Sequence, residues 1–145
     1  MRVYENPDKE TVRIVREGLA QKDGYCPCRL ERTNIRTADS VELGAPFDII
    51  VADLSFIGLA QLAPVFASLG QVGSVFLGLI KPQFESAADE SDHGIVRDES
   101  VRQRVIGEVE QALRDAGFQV TGVVESAITG AKGNVEYLVR AVLHR

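Results

Sequence analysis

The sequence predicts an α/β domain with helices on the faces of a mainly parallel sheet and an antiparallel pair of strands at its C-terminal end. Two short, almost wholly apolar runs, Phe47–Ala52 and Ser74–Ile80, have the β-branched composition of strands buried in a parallel sheet. A stretch with helical spacing follows each run. The last two apolar runs are joined by a short glycine-containing turn, which is typical of antiparallel neighbours.

Composition fits one globular domain and excludes some functions. The chain has 145 residues, of which 45% are hydrophobic, so it can bury a real core. Its 16 basic and 21 acidic residues give a net charge of −5, which lacks the basic excess of most nucleic-acid-binding proteins. Any RNA contact would therefore be local or depend on a partner. Charged residues interrupt the N-terminus and no apolar run is long enough for a membrane span, so we expect a cytoplasmic protein without a membrane partner.

The first 46 residues predict one helix and a long loop. Asn6-Pro7 supplies a capping side chain and a proline in the first turn, and Asp23-Gly24 ends the helix. Its apolar stripe consists of Val12, Val15 and Leu19. Residues 32–46 are polar and predict a loop.

The next segment predicts a strand and a helix. Phe47–Ala52 has the composition of a strand covered on both faces, and Asp53 stands at its carboxyl end. Residues Leu59–Leu69 have helical spacing. Pro64 should lie near the first turn of this helix or kink it.

The middle of the chain predicts a second strand, a loop and a long helix. Ser74–Ile80 forms the strand, which ends at Lys81-Pro82 because proline cannot donate to a ladder. Residues 85–96 are polar and predict a mobile loop over a site. The helix begins at its cap, Asp98, and ends before Gly117. Its apolar stripe consists of Val101, Val105, Val109, Ala112, Leu113 and Ala116.

Topology predicts that three charged side chains converge. Ligands of open α/β sheets bind outside the carboxyl ends of the parallel strands, where Asp53 and Lys81 lie. Phe118–Ile128 and Val135–Leu143 predict an antiparallel pair. Because the last strand runs in the opposite sense, Glu136 near its start lies at the same edge.

An amine between two carboxylates can activate a poor nucleophile such as a ribose hydroxyl. Carboxylates favour a protonated lysine, whereas desolvation favours the neutral amine, which can act as a base. A methyl transfer needs alignment of the attacking oxygen with the methyl carbon, and an acceptor for the proton. We therefore assign Lys81 as the base and Asp53 and Glu136 as the groups that orient it and the ribose. The alternative is that each charge merely ends a strand at the surface.

Five strings carry a family resemblance from Leu30 to the C-terminus: Leu30-Glu31-Arg32-Thr33-Asn34, Asp48–Ile57, Leu79–Glu85, Gly94–Asp98 and Gly133–Leu138. In order and spacing they resemble the catalytic domain of TlyA-type ribosomal RNA 2′-O-methyltransferases, also called hemolysin A and related to FtsJ. The resemblance implies a truncated Rossmann-like methyltransferase sheet, S-adenosylmethionine as cofactor and ribosomal RNA as substrate. It assigns Asp53, Lys81 and Glu136 to the last three members of a Lys-Asp-Lys-Glu catalytic tetrad, and places Glu31, Asn34 and Asp53 at the cofactor.

The same resemblance implies features that residues 1–50 do not show. Family members carry a glycine-rich cofactor loop, an acidic residue ending the second strand and the first catalytic lysine before the matching region. No Gly-x-Ser-x-Gly-Gly string occurs in residues 1–50, and Lys9 and Lys22 have no matching motif around them. We therefore expect impaired activity or completion by a partner chain. The edge of the Phe47–Asp53 strand would be exposed and would favour a homodimer or covering by the N-terminal helix.

Residues 1–30 carry a second resemblance. Asn6–Glu10 and Gly24–Leu30, which includes Cys26 and Cys28, resemble the start of a ferredoxin:thioredoxin reductase catalytic chain. No cysteine follows Cys28, so one chain cannot supply four cysteine ligands, and reduced thiols without metal are expected. We predict an N-terminal helix and Cys-Pro-Cys segment at 1–30 and a partial methyltransferase domain at 31–145. The alternative functions are a small thiol-redox or iron–sulfur protein and an inert interaction module.

Overall fold

The computed structural model describes residues 40, 41 and 43–144, which belong to the compact unit Ile35–Arg145. The predicted N-terminal helix and the Cys-Pro-Cys segment lie outside the described residues. The elements, in chain order, are β1 (Phe47–Ala52), α1 (Leu59–Leu69), β2 (Gly70–Ile80), α2 (Pro82–Glu85), α3 (Glu99–Asp115), β3 (Phe118–Glu125) and β4 (Tyr137–Leu143). Two single 3₁₀ turns lie at Ala88–Glu90 and Ala131–Gly133.

The four strands form one mixed sheet in the order β1-β2-β4-β3. β1 and β2 are parallel, and β4 runs antiparallel to both of its neighbours, β2 and β3. The predicted α/β fold with an antiparallel C-terminal pair is therefore confirmed. Because β4 runs in the opposite sense to β2, its first residues lie at the edge of the sheet where β1 and β2 end.

One face of the sheet is covered by α1 and α3. Burial alternates along β2 and β4, which is the pattern of strands that present every second side chain to a core. The aromatic centre of this core is Phe76, whose ring lies 4.8 Å from that of Phe66 and 5.6 Å from that of Phe118. α3 contributes its fully buried stripe, Val105, Val109 and Leu113. The apolar periodicity of both helices thus predicts the faces that they bury.

The opposite face of the described sheet is open, which corrects the prediction that the first strand is covered on both faces. Ile49 and Val51 of β1 are 63% and 72% exposed, and Leu77 and Leu138 on the next two strands also reach solvent. An open cleft of about 650 Å³ lies along this face and extends to Asp53. A continuous apolar run indicates that both faces of a strand could be buried. It does not indicate whether a layer of helices covers each face.

Some element boundaries differ from the sequence prediction. β2 begins at Gly70 and not Ser74, since the Ser74 hydroxyl accepts from the Gln71 N–H (2.8 Å) and donates to the Phe47 carbonyl (2.6 Å), which ties the start of β2 to β1. β3 ends at Glu125, three residues earlier than predicted. The helical turn α2, which the sequence did not predict, lies between β2 and the predicted loop and shares only Glu85 with that loop. None of the described helices is long and apolar enough to cross a membrane.

Candidate active site

Asp53 and Lys81 meet where β1 and β2 end. The strands are parallel and Ala52 pairs with Gly78, so both side chains leave the sheet at its carboxyl edge. Lys81 Nζ lies 2.5 Å from Asp53 Oδ1. The Lys81 side chain is only 14% exposed, whereas that of Asp53 is 66% exposed. The arrangement therefore holds a nearly buried amine against a carboxylate that solvent and ligands can reach.

Glu136 lies at the same edge but has a different direct partner. Ile80 pairs with Tyr137, so the residue before Tyr137 lies beside Lys81. The Glu136 carboxylate is buried and accepts a hydrogen bond from Gln83 Nε2 at 3.1 Å. No ion pair within 4.0 Å joins it to Lys81 among the described side chains. The structure thus brings all three predicted residues to one edge, with Glu136 linked to the pair through α2.

Glu85 is a half-buried carboxylate that sequence reasoning did not single out. Its Oε1 accepts from the Leu59 N–H at 2.5 Å, and the Ala60 N–H also donates to its carboxylate. Burial raises the pKa of Glu85 above its ordinary value, although these two backbone donors partly offset the effect. Gly58, which precedes α1, offers no capping side chain. That missing N-cap is the signal in the sequence for a cap supplied from elsewhere.

An aromatic pair lies on the segments that follow Asp53 and Lys81. Phe56, three residues after Asp53, is 90% exposed and has a φ of 66°, which is unusual for a bulky residue. Its ring centroid lies 5.3 Å from that of Phe84, three residues after Lys81. The pair therefore presents an apolar ring to solvent and joins the segment after Asp53 to the segment after Lys81.

Asn134 fastens the segment after α2 to the start of β4. Its Oδ1 accepts from the Val96 N–H at 3.1 Å, and its Nδ2 donates to the Gly94 carbonyl at 2.8 Å. Lys132 Nζ donates to the His93 carbonyl at 3.0 Å. The part of residues 85–96 that sequence reasoning assigned to a mobile loop is therefore anchored at its C-terminal end.

The basic residues around the start of α3 are engaged with the protein itself. Arg102 pairs with Glu99 and donates to the Val96 and Arg97 carbonyls. Arg104 pairs with Glu90 and Glu108. These partners favour a structural role over a phosphate-binding patch. No group of three or more potential metal ligands occurs among residues 40, 41 and 43–144.

Only one of the three residues expected at the cofactor can be examined. Glu31 and Asn34 lie outside the described residues, as do Cys26 and Cys28. Asp53 lines the open cleft. Its exposed carboxylate can accept hydrogen bonds from hydroxyl or ammonium groups, and its predicted contact with S-adenosylmethionine stays a prediction.

Comparison with known proteins links the chain to methyltransferases. A family model described as FtsJ-like methyltransferase matches residues 5–142. The chain is 36% identical over 111 residues to the 16S/23S rRNA (cytidine-2′-O)-methyltransferase TlyA of Mycobacterium tuberculosis, which covers 76% of this chain and 41% of that protein. It is 38% identical over 97 residues to Hemolysin A of Brachyspira hyodysenteriae, over 66% of this chain and 40% of that protein.

Solved structures share this fold. A structure from Streptococcus thermophilus named as a hemolysin has a TM-score of 0.75 and 33% identity, over 79% of this chain and 42% of that one. An S-adenosylmethionine-dependent methyltransferase of Clostridium acetobutylicum ATCC 824 has a TM-score of 0.52 at 12% identity, over 95% of this chain and 73% of that one. The chain spans about two fifths of the length of the curated relatives described here. These matches give no support to the expected impairment or to the redox alternative.

Proposed function

Because the chain belongs to the FtsJ-like methyltransferase family, we propose that it transfers a methyl group from S-adenosylmethionine to a ribose 2′-hydroxyl of ribosomal RNA. The observation that carries the proposal is the contact between Lys81 and Asp53 at the carboxyl edge of the sheet. This edge is where ligands of open α/β sheets bind. The RNA substrate is inferred from the names of the relatives. The proton transfer is inferred from the Lys81–Asp53 ion pair.

In this proposal Lys81 receives the proton of the ribose hydroxyl. S-adenosylmethionine, when bound, supplies a methyl group activated by a sulfonium sulfur. The step requires the neutral amine, so the Lys81 ammonium of the ion pair first passes a proton to solvent by way of the exposed Asp53 carboxylate. The hydroxyl oxygen then becomes a better nucleophile as its proton moves to the Lys81 amine, and Asp53 fixes the direction of that amine. Glu136 and Gln83 form the adjoining wall and orient the ribose. A nearly buried amine is suited to this step because few waters compete for its proton.

The acceptor nucleotide would meet the aromatic pair. RNA is often recognised through unpaired bases that stack on aromatic side chains. Phe56 is the exposed ring nearest in sequence to Asp53, and Phe84 supports it from α2. A base stacked on Phe56 would bring its own ribose towards the ion pair.

The cofactor would contact Asp53, which lines the open cleft. Glu31 and Asn34 are the further residues that we propose to hold it, together with the carboxylate of Asp53. An RNA substrate agrees with the acidic net charge only if the phosphate contacts are local or are shared with a partner. A ribosomal substrate would also place the protein in the cytoplasm.

Labelled methyl transfer to ribosomal subunits tests the proposal. The protein is incubated with tritium-labelled S-adenosylmethionine and subunits from cells that lack the corresponding activity, and radioactivity in the RNA is counted. Lys81→Met should reduce the rate by about 100-fold or more, because it removes the proton acceptor. Lys132→Met, at an exposed lysine bonded to a backbone carbonyl, is the matched control and should retain the parent rate. Parental activity in Lys81→Met, or no transfer by the parent, would overturn the proposal.

A further inference from the structure

Glu85 joins two segments that the proposed chemistry needs at a fixed separation. It lies at the end of α2, four residues after Lys81, and its carboxylate accepts the backbone N–H groups of Leu59 and Ala60 at the start of α1. The bond therefore spans 26 residues of chain and links the segment after β2 to the segment after β1. These are the segments that carry Lys81 and Asp53.

The linkage is short on both sides. On one side, α2 is a single turn in which the Phe84 N–H bonds to the Lys81 carbonyl (2.8 Å) and the Ser86 N–H bonds to the Pro82 carbonyl (2.9 Å). On the other side, only residues 54–58 separate Asp53 from the first turn of α1. The tilted contact between the rings of Phe56 and Phe84 is a second contact between that loop and α2.

The site is also shaped to receive this carboxylate. A β-carbon at Gly58 would overlap the Glu85 carboxylate, so glycine at the N-cap of α1 makes room for it. A serine or aspartate at position 58 could cap α1 locally. The cap comes instead from a distant residue, whose carboxyl has a pKa raised by burial. Placing a carboxylate where its charge is disfavoured is a poor way to gain stability, but it couples the two segments.

We propose that Glu85 is a positioning residue that fixes the Asp53–Gly58 loop against α2 and so holds Asp53 in contact with Lys81. The inference rests on the proposed function for its catalytic meaning, although the mechanical coupling can be measured without it. Removal of the Glu85 carboxylate frees the start of α1, loosens the loop and weakens the ion pair. Lys81 itself keeps its place at the end of β2.

Chemical labelling of Lys81 tests the coupling without any activity. The protein is treated with acetic anhydride, and acetylation at Lys81 relative to Lys132 is followed by mass spectrometry of peptides. Glu85→Ala should raise this ratio several-fold, since the Lys81 amine is released from Asp53. Glu85→Gln keeps one acceptor oxygen and should give an intermediate ratio, which also serves if the alanine variant fails to fold. Asp89→Ala removes an exposed carboxylate nearby and is the control, with the parent ratio expected.

A double substitution makes the test specific. Gly58→Ala should displace the Glu85 carboxylate and raise Lys81 labelling as Glu85→Ala does. Gly58→Ala combined with Glu85→Ala should give the same Lys81 labelling as Glu85→Ala alone, because the added β-carbon then has no Glu85 carboxylate to displace. Unchanged labelling in Glu85→Ala, or fully additive effects in the double variant, would overturn the proposal.

Methyl-transfer kinetics separate this inference from the proposed function. If the parent methylates ribosomal RNA, Glu85→Ala should lower kcat by up to about 100-fold with little change in KM for RNA, because positioning affects the reacting atoms more than binding. An equal loss through KM alone would contradict a positioning role. If the parent transfers no methyl group, the proposed function fails, and the labelling ratios still decide whether Glu85 couples the two segments.

Discussion

Lys81 and Asp53 differ sharply in exposure although their charged atoms are in contact. The Lys81 side chain is 14% exposed, and the Asp53 carboxylate lies along the open cleft. A ligand therefore reaches the pair more readily from the Asp53 side. At the residue scale this asymmetry is the basis for the two proposed roles, with Lys81 for the proton and Asp53 for the direction of the amine.

Asp53→Asn tests that division of roles. The substitution keeps the size of the side chain and removes its charge, so the amine loses its electrostatic partner. We expect kcat for methyl transfer to fall by about 100-fold, within the range of misplaced acid–base groups. Asp48→Asn is the matched control, because Asp48 is an exposed carboxylate of the same strand that bonds only to the Gln71 side chain in the described structure. A parental rate in Asp53→Asn would show that the Asp53 charge has no role in methyl transfer.

The half-buried Glu85 predicts a specific dependence of stability on pH. Its pKa is raised in the folded state, so the protonated form is favoured there, and its contribution to stability is present below the ordinary value of 4.5 and is lost as the pH rises through the raised value. Glu85→Gln has no such titration. The free energy of unfolding of the parent, relative to Glu85→Gln, should therefore fall between pH 4 and pH 7 in urea titrations. A relative stability that rises over this interval would contradict the burial of the charge.

The sequence identified the charged residues that end strands. It did not identify the polar residues whose hydrogen bonds join segments that are distant in the chain. Asp53 and Lys81 are recognisable because each stands at the carboxyl end of an apolar run. The partners of Glu85 and Asn134 lie 25–26 and 38–40 residues away in the chain, and no periodicity reports such contacts. The role of Glu136 also depends on Gln83, whose direction follows from α2 and not from the strand pattern.

The elements themselves are held by the core between the helices and one face of the sheet. α3 owes its position to three fully buried side chains, and α1 to six buried residues. The open face contributes little to this core. Burial therefore predicts which leucines matter for stability.

A pair of leucine substitutions tests this division. Leu113→Ala opens a cavity in the core and should lower the free energy of unfolding by about 2–5 kcal/mol. Leu138→Ala, on the open face, removes the same atoms from a side chain that is 46% exposed and should have a much smaller effect. Urea unfolding of both variants measures the difference. Equal losses would mean that a layer covers the open face in solution.

Periodicity predicts these elements well where one face is buried. Asp98 caps α3 through the Ser100 N–H at 2.8 Å, and the helix ends before Gly117, as its sequence indicates. The α2 turn is missed because four residues are too few for a periodic signal. The open face of β1 was not predicted, because an apolar strand composition does not show which elements pack on each face of the strand.

At the scale of the whole molecule, β1 is an unpaired edge of the described sheet. It has one neighbour, β2, and its exposed side chains are the apolar Ile49 and Val51 and the charged Asp48. Edges of this kind pair readily with another strand. The homodimer expected from the sequence stays a prediction that this edge makes plausible.

Sedimentation equilibrium tests that prediction. The parent should have the mass of a dimer, and Ile49→Lys should have the mass of a monomer, because a charge on an exposed edge opposes pairing. Val124→Lys, at an exposed position on the opposite edge strand, is the control and should remain dimeric. A monomeric parent, or a dimer that Ile49→Lys leaves intact, would exclude association through β1.

The position of the transferred methyl group tests the central claim most directly. Ribosomal RNA labelled by the protein with tritiated S-adenosylmethionine is hydrolysed completely in alkali, which cleaves every linkage that has a free 2′-hydroxyl. A methyl group on the ribose oxygen blocks this cleavage, so the account predicts that the label is recovered in an alkali-resistant dinucleotide and is lost with Lys81→Met. Label recovered in mononucleotides would place the methyl group on a base and contradict the assignment of the site.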